Sequence, residues 1–156
     1  MTHHARDAHG VRRSGDSGDS AVSYVVHPIG YVASPLVSRD MAPKQGDEGA
    51  PDAWLVFDEG VRAGLRDLRL GAEVLLLTWL DRASRDVLAV RPRDDPARPL
   101  TGVFSTRSPD RPNPVGLHRV SIVSIDGTRV RVRDLEALDG TPIVDVKPVL
   151  DSVGDR

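Results

Sequence analysis

The chain contains no cysteine. That excludes disulfides and thiolate-held metals, and it fits a reducing compartment, so a cytoplasmic protein is expected. Aromatic residues make up only 4% of its 156 residues, which leaves few surfaces on which nucleobases could stack. Histidine is scarce too. His3, His4 and His9 fall in the first ten residues, leaving His27 and His118 for the rest of the chain. A histidine-rich zinc site or a histidine-centred triad is therefore disfavoured, and no metal is expected. No apolar run approaches the roughly 20 residues that a membrane helix needs. The opening MTHHARDAHG has no apolar core of a secretion signal. GxGxxG and Walker loops are also missing, which argues against a Rossmann methyltransferase or a nucleotide hydrolase. Neither sign of charge dominates, with a net charge of −2 and a pI of about 6.2. Any contact with RNA must therefore run through a local patch.

What is present is an ordinary globular balance, 39% hydrophobic and 28% charged, at a length that suits one domain. Residues 1–21 are mostly Gly, Ser, Asp, Arg and His, too polar to offset the entropy of ordering. They are expected to form a disordered tail, with the domain over 22–152. Within it, Tyr24–Ala33 reads as a strand kinked at Pro28, and Ser34–Pro51 as a polar loop containing APKQG. Strands follow at Trp54–Phe57, Glu73–Leu80 (apolar enough for burial on both faces), Val87–Val90, Gly102–Ser105, Val120–Ile125, Thr128–Leu135 and Ile143–Val146. Val61, Leu65 and Leu68 have helical spacing, with Gly71 as a stop. Asp126-Gly127 signals a tight hairpin and Asp139-Gly140 a second turn. Many short strands with one clear helix predict a mainly β fold, a small antiparallel β-barrel with one or two short helices.

The segment FSTRSPDRPNPVGLHRV is the most distinctive stretch. Pro109, Pro112 and Pro114 each fix their own φ and push the preceding residue toward extended backbone. Arg107 and Arg111 are interleaved with them, so a stiff loop holds two guanidiniums in fixed directions. They either bind a carboxylate or phosphate or hold the loop through backbone carbonyls. Asn113 either caps a turn or touches a ligand. Arg129, Arg131 and Arg133 alternate with Val130 and Val132 and share one strand face, either a phosphate stripe or a solvated surface paired with acids. Asp145 and Lys147 share a face across Val146, where an exposed ion pair contributes little, about 0–1 kcal/mol. Trp54 and Trp79 lie in apolar strands and read as core or interface residues.

STRSPDRPNPVGLHRV followed by LEALDGTPIVDVKPVL resembles the TsaA-like family, also called TrmO. HPIGYVASP, APKQG and WLDRASRDVLAVRPRDDPARPLTGVF match the same family in the same order, so the resemblance covers about residues 24–150. It implies a small β-barrel methyltransferase that binds S-adenosylmethionine and acts as a homodimer. The acceptor it implies is the exocyclic nitrogen of N6-threonylcarbamoyladenosine in tRNA. Carried over by motif, Pro43, Lys44, Gln45, Asp81, Arg82, Arg107, Leu117, Leu138, Asp139, Gly140 and Thr141 are cofactor-side residues. Arg107, Arg111, Asp145 and Lys147 are expected to face the acceptor. Asp139, or else Asp145, is expected to orient the acceptor nitrogen or take its proton, with Arg107 completing the catalytic set. The family commonly has His where this chain has Asp81, and the two side chains differ in charge and donor pattern. That change, the near-neutral charge and the end of the chain six residues after Leu150 leave room for a small-molecule acceptor in place of tRNA. A non-catalytic barrel that binds a nucleoside or peptide is the third reading.

Overall fold

The computed structural model describes residues 11–13 and 21–151. Within the segment expected to be a tail, β1 (Val11–Arg13) pairs antiparallel with β2 (Val22–Tyr24). The rest of 1–20 lies outside the described residues. The body of the fold is built from β3 (Gly30–Ala33), β4 (Ala53–Phe57), β5 (Glu73–Trp79), β8 (Val115–Asp126), β9 (Arg129–Arg133) and β10 (Pro142–Pro148). They pair antiparallel in the order β10-β3-β4-β9-β8-β5, and β5 pairs back onto β10, so the sheet closes on itself. A separate two-stranded ribbon joins β6 (Ala89–Val90) to β7 (Thr101–Gly102).

Period-two patterning explains why these segments become strands around one core. In β4 Ala53, Leu55 and Phe57 are buried, and in β9 Val130 and Val132 are buried between three exposed arginines. Val74, Leu76, Val120, Ile122, Val32, Leu135 and Ile143 complete the interior. Each such side chain contributes about 1.5–3 kcal/mol on burial. Register shifts at Ile122/Ser124 and Ile143/Asp145 bend β8 and β10, which lets a short-stranded sheet curl enough to close. Gly30 lies so close to the Val56 carbonyl of β4 that a Cβ would collide with it. Gly127 carries φ 60 in the tight β8–β9 turn, the conformation its neighbour Asp126 announces in sequence.

Several elements differ from expectation. Tyr24–Ala33 is divided between the end of β2 and β3, with residues 25–29 outside any strand and only Ile29 bonded across, to Ile143 and Asp58. β5 is buried on one face only. Val74, Leu76 and Thr78 point inward, whereas Leu75, Leu77 and Trp79 keep partial exposure on the outer side. β8 starts five residues earlier than Val120, directly after Pro114. The expected helix near Val61 is a 3-10 segment, Glu59–Leu65, and no α-helix occurs among the described residues. Gly60 and Gly64 disfavour continuation as an α-helix there, yet Val61, Leu65 and Leu68 still pack on the core as their spacing implies.

Candidate functional site

The interior changes character along the β5–β8 ladder. Val74 opposes Val120, then Leu76 opposes His118, then Thr78 opposes Gly116. All are inward-facing, so the apolar core gives way to polar residues at one end. His118 is 5% exposed and Thr78 is fully buried. Nε2 of His118 lies 2.7 Å from Thr78 Oγ1, and its Nδ1 lies 2.6 Å from Glu136 Oε1. Glu136 lies just after β9, half-buried between the buried Leu135 and Ala137. Gly116 makes room for the arrangement, since a Cβ there would strike Thr78 Oγ1 and stand 2.7 Å from His118 Nε2.

A cavity of about 290 Å³ opens over this cluster. His118 and Glu136 form its floor, Leu80, Phe104 and Leu117 supply apolar wall, and Lys44, Gln45, Arg107 and Arg111 bring polar groups to the rim. The volume is near the lower end for sites that hold small organic ligands. A second cavity of about 270 Å³ shares Gln45, Leu117, His118 and Glu136 with it. The APKQG lip can sit here because its glycine, Gly46, presses against the Asp134 carbonyl, where any side chain would clash.

The proline-rich loop is stiffened by more than its prolines. Arg111 donates from Nε to the Ser108 carbonyl at 2.8 Å, and from Nη2 to the carbonyls of Val103 (2.8 Å) and Thr106 (2.6 Å). Arg85 donates to the Pro112 carbonyl at 2.8 Å and to Asn113 Oδ1 at 3.0 Å. Asp110 accepts the Ser84 N–H at 2.9 Å and pairs with Arg39 at 3.2 Å. Arg111 thus holds the loop through Nε and Nη2, while its Nη1 has no hydrogen-bond partner among the described residues and the side chain still lines the cavity. Arg107 differs. It is exposed, lines the cavity and has no hydrogen-bond or ion-pair partner among the described residues. Lys44 is held by Asp94 at 2.9 Å, and Glu48 beside the same lip pairs with Arg93 at 2.5 Å. Arg93 and Asp94 adopt left-handed φ of 59 and 56, a strained conformation for non-glycine residues, which these two ion pairs help to hold.

The remaining sequence-matched residues gather elsewhere. Ser34 N–H donates to Asp139 Oδ1 at 3.0 Å, and Arg82 donates to the carbonyls of Val37 (2.9 Å) and Asp139 (3.4 Å). Gly140 N–H donates to the Val32 carbonyl at 2.7 Å, and buried Thr141 donates to the Leu138 carbonyl at 2.7 Å. None of these residues lines the cavity over His118, nor do Pro43 and Asp81. Asp145 and Lys147 form a partly exposed ion pair with each other at 2.8 Å, also outside its lining. Of the arginine strand, Arg131 pairs with Asp52 at 3.2 Å and Arg129 sits 4.7 Å from the Trp54 ring centre. All three arginines are exposed on the outer face, and of them Arg131 is the one paired with an acid among the described residues. No group of three or more His, Asp or Glu side chains is arranged to hold a metal among the described residues. No helix there is long and apolar enough to cross a membrane.

Sequence reasoning passed over Thr78, His118 and Glu136. Counting back from Ile122 in steps of two places His118 inside, which is the signal that finds it.

Fold and site together define a small, closed, mainly β protein with a polar end-pocket framed by an arginine loop. The chain belongs to the TrmO family: residues 31–154 match the tRNA-methyltransferase O N-terminal domain. An S-adenosyl-L-methionine-binding protein of Archaeoglobus fulgidus is 41% identical over 133 residues, covering 83% of this chain and 94% of that protein. A probable S-adenosyl-L-methionine-binding protein of Methanothermobacter thermautotrophicus is 43% identical over 133 residues, with the same coverage of 83% and 94%. A further probable S-adenosyl-L-methionine-binding protein of A. fulgidus is 41% identical over 130 residues; the match takes in 81% of this chain but only 35% of that relative's length. The crystal structure of TrmO from Pseudomonas aeruginosa superposes with a TM-score of 0.66 at 28% identity, covering 86% of this chain and 60% of that one.

Burial opposes the charge on the Asp110 carboxylate, but the Ser84 N–H and Arg39 outweigh it and hold its pKa below the ordinary aspartate range. A carboxyl lowered by folding adds stability above its unfolded pKa, about 4, and loses it as pH falls through the folded value. Asp110→Asn is therefore expected to lower stability by roughly 1 kcal/mol at neutral pH. Urea titrations should find that difference closing as the pH drops below about 4. A deficit that persists undiminished in acid contradicts the charge-based anchor.

Proposed function

We propose that the chain is an S-adenosylmethionine-dependent methyltransferase and that its acceptor is N6-threonylcarbamoyladenosine in tRNA. The observation that carries this reading is Arg107, a guanidinium without a partner among the described residues at the end-pocket, while Arg111 beside it is bound to the loop. The names of the curated relatives support the cofactor, and the family match supports the tRNA acceptor.

The residues at the pocket fit the group. S-adenosylmethionine carries a carboxylate, an ammonium, a sulfonium and an adenosine. The pocket offers Arg107, which has no partner among the described residues, the Gln45 amide, and the apolar Leu80, Leu117 and Phe104. When bound, the cofactor supplies an electrophilic methyl on sulfur. What the protein adds is orientation, because a direct displacement requires the acceptor nitrogen to face that methyl in line. The clamp on the 103–113 loop fixes where Arg107 projects, and a planar fork can hold a carboxylate in one orientation. The acceptor's threonyl carboxylate suits that role. Removing bulk water from the floor falls to Leu80, Leu117 and Phe104.

The homodimer belongs to the same reading. On the outer side of the β5–β8 ladder, Trp79 opposes Val115 and Leu77 opposes Leu117. Val115 and Leu117 are 42% and 44% exposed, so an apolar stripe lies beside the pocket. A second copy covering it would bring its own Arg82–Asp139 cluster within the assembly and offer the residues that the single-chain pocket does not gather. Sedimentation equilibrium should find a dimer at micromolar concentration; a monomer contradicts this part of the proposal.

The activity is checked by mass spectrometry after incubation with S-adenosylmethionine and either bulk tRNA or a small-metabolite extract. A gain of one methylene on threonylcarbamoyladenosine is expected. Labelling confined to a metabolite moves the acceptor to a small molecule, as Asp81 would allow, and donor binding with no product leaves only the binding-protein reading. Arg107→Ala should raise the acceptor KM by about 10-fold or more, the size expected for losing a charged hydrogen bond. An unchanged KM removes Arg107 from the acceptor side.

A further inference from the structure

Glu136 is the only acidic residue among those that line the end-pocket. Among the described residues no lysine or arginine is paired with it; its partner is His118. The histidine is buried and held at both ring nitrogens. We assign the tautomer in which the Thr78 hydroxyl donates to Nε2 and Nδ1–H donates to Glu136 Oε1, since this gives every polar atom of both buried side chains a partner. One carboxylate oxygen is thereby fixed. The other, Oε2, has no hydrogen-bond partner among the described residues and is not sealed off in the interior. A carboxylate oriented by a histidine, with its second oxygen free at a pocket floor, is arranged to receive a proton.

We propose that Glu136 is the catalytic proton acceptor of this site and that His118, braced by Thr78, is its positioning residue. The proposal rests on the methyltransferase reading given above. It also replaces the carboxylates that the sequence favoured. Asp139 Oδ1 is taken by the Ser34 N–H, and Asp145 is engaged by the Val146 N–H at 2.9 Å and by Lys147. Neither lines the pocket. A carbamoylated amine is a weak nucleophile because its lone pair is delocalised, so removing its proton assists attack. In the step, the acceptor N–H bond breaks and the proton passes to Glu136 Oε2, leaving a neutral carboxyl. The nitrogen pair forms the new N–CH3 bond with the methyl of the sulfonium donor. The C–S pair stays on sulfur, giving a neutral thioether. The proton then returns from Glu136 to water.

The arrangement also explains Gly116 and Gly46. One clears space for the Thr78–His118 contact. At the other, a Cβ would stand 2.9 Å from Glu136 Oε2, beside the second cavity that Gly46 and Glu136 both line.

The test uses the full chain and three readouts. Glu136→Gln keeps the side-chain volume and can still accept the Nδ1–H bond, but it cannot take a proton. Calorimetry with S-adenosylhomocysteine should give an unchanged affinity, and thermal unfolding should be unchanged. The single-turnover rate on tRNA bearing threonylcarbamoyladenosine should fall about 100-fold or more. Glu136→Asp should recover part of that loss. His118→Asn, which can still donate toward Glu136, should be faster than His118→Leu at equal acceptor KM, a difference that a purely structural histidine would not produce. If Glu136→Gln keeps the wild-type rate at saturating donor, or loses only donor affinity, the proton-acceptor role is overturned while the methyltransferase reading stands. If the wild-type chain neither binds S-adenosylhomocysteine nor methylates the tRNA, that reading fails and this proposal with it.

Discussion

The ladder between β5 and β8 is the constraint on which the site depends. Its register runs from Glu73↔Ser121 to Trp79↔Val115 without a shift. Because side chains alternate across a strand, a slip of one residue would carry His118, Thr78 and Gly116 from the interior to the surface together, and Leu77 and Leu117 inward. The same ladder holds the apolar core at one end and the polar floor at the other. Core packing and site geometry are thus a single requirement: the burial of Val74, Leu76 and Val120 is what fixes the histidine beneath the pocket.

The second layer of order is the sorting of arginines. Arg111, Arg85 and Arg82 each donate to backbone carbonyls and serve to hold loops. Arg119 and Arg131 pair with Glu73 and Asp52 on the outer surface. Among the three cations at the pocket, Arg107 is the one bonded to no described residue, while Arg111 and Lys44 each spend part of their donors. Charge-assisted bonds to carbonyls are strong enough to fix a loop, but they also use up the guanidinium that makes them. A clamp formed by other residues leaves Arg107 on a fixed backbone with its guanidinium chemically free.

Much of the sheet was legible because its signal is local. RVRVR alternates cleanly, AWLVF keeps one apolar face, and Asp126-Gly127 requires a turn. The start of β8 was harder to read, since Gly116 after PNP looks like a continuation of the loop; only the structure shows that its missing side chain serves the Thr78–His118 contact. The 3-10 segment kept its apolar spacing while its glycines changed its winding. In the site, motif resemblance drew attention to the loop and the Asp139 turn. Thr78, His118 and Glu136 escaped because they are far apart in sequence and unremarkable one at a time. Their meaning arises from tertiary contact, through the 40-residue separation of Thr78 from His118 and the 18 residues from there to Glu136.

The methyl donor is proposed to bind in the end-pocket bounded by Arg107 and Glu136. A crystal structure of the full chain with S-adenosylhomocysteine tests it most directly. The ligand is expected against Leu80 and Leu117, with its thioether sulfur on the Glu136 side of the Arg107 loop. A ligand bound elsewhere on the surface, with the His118–Glu136 floor solvent-filled, would contradict it.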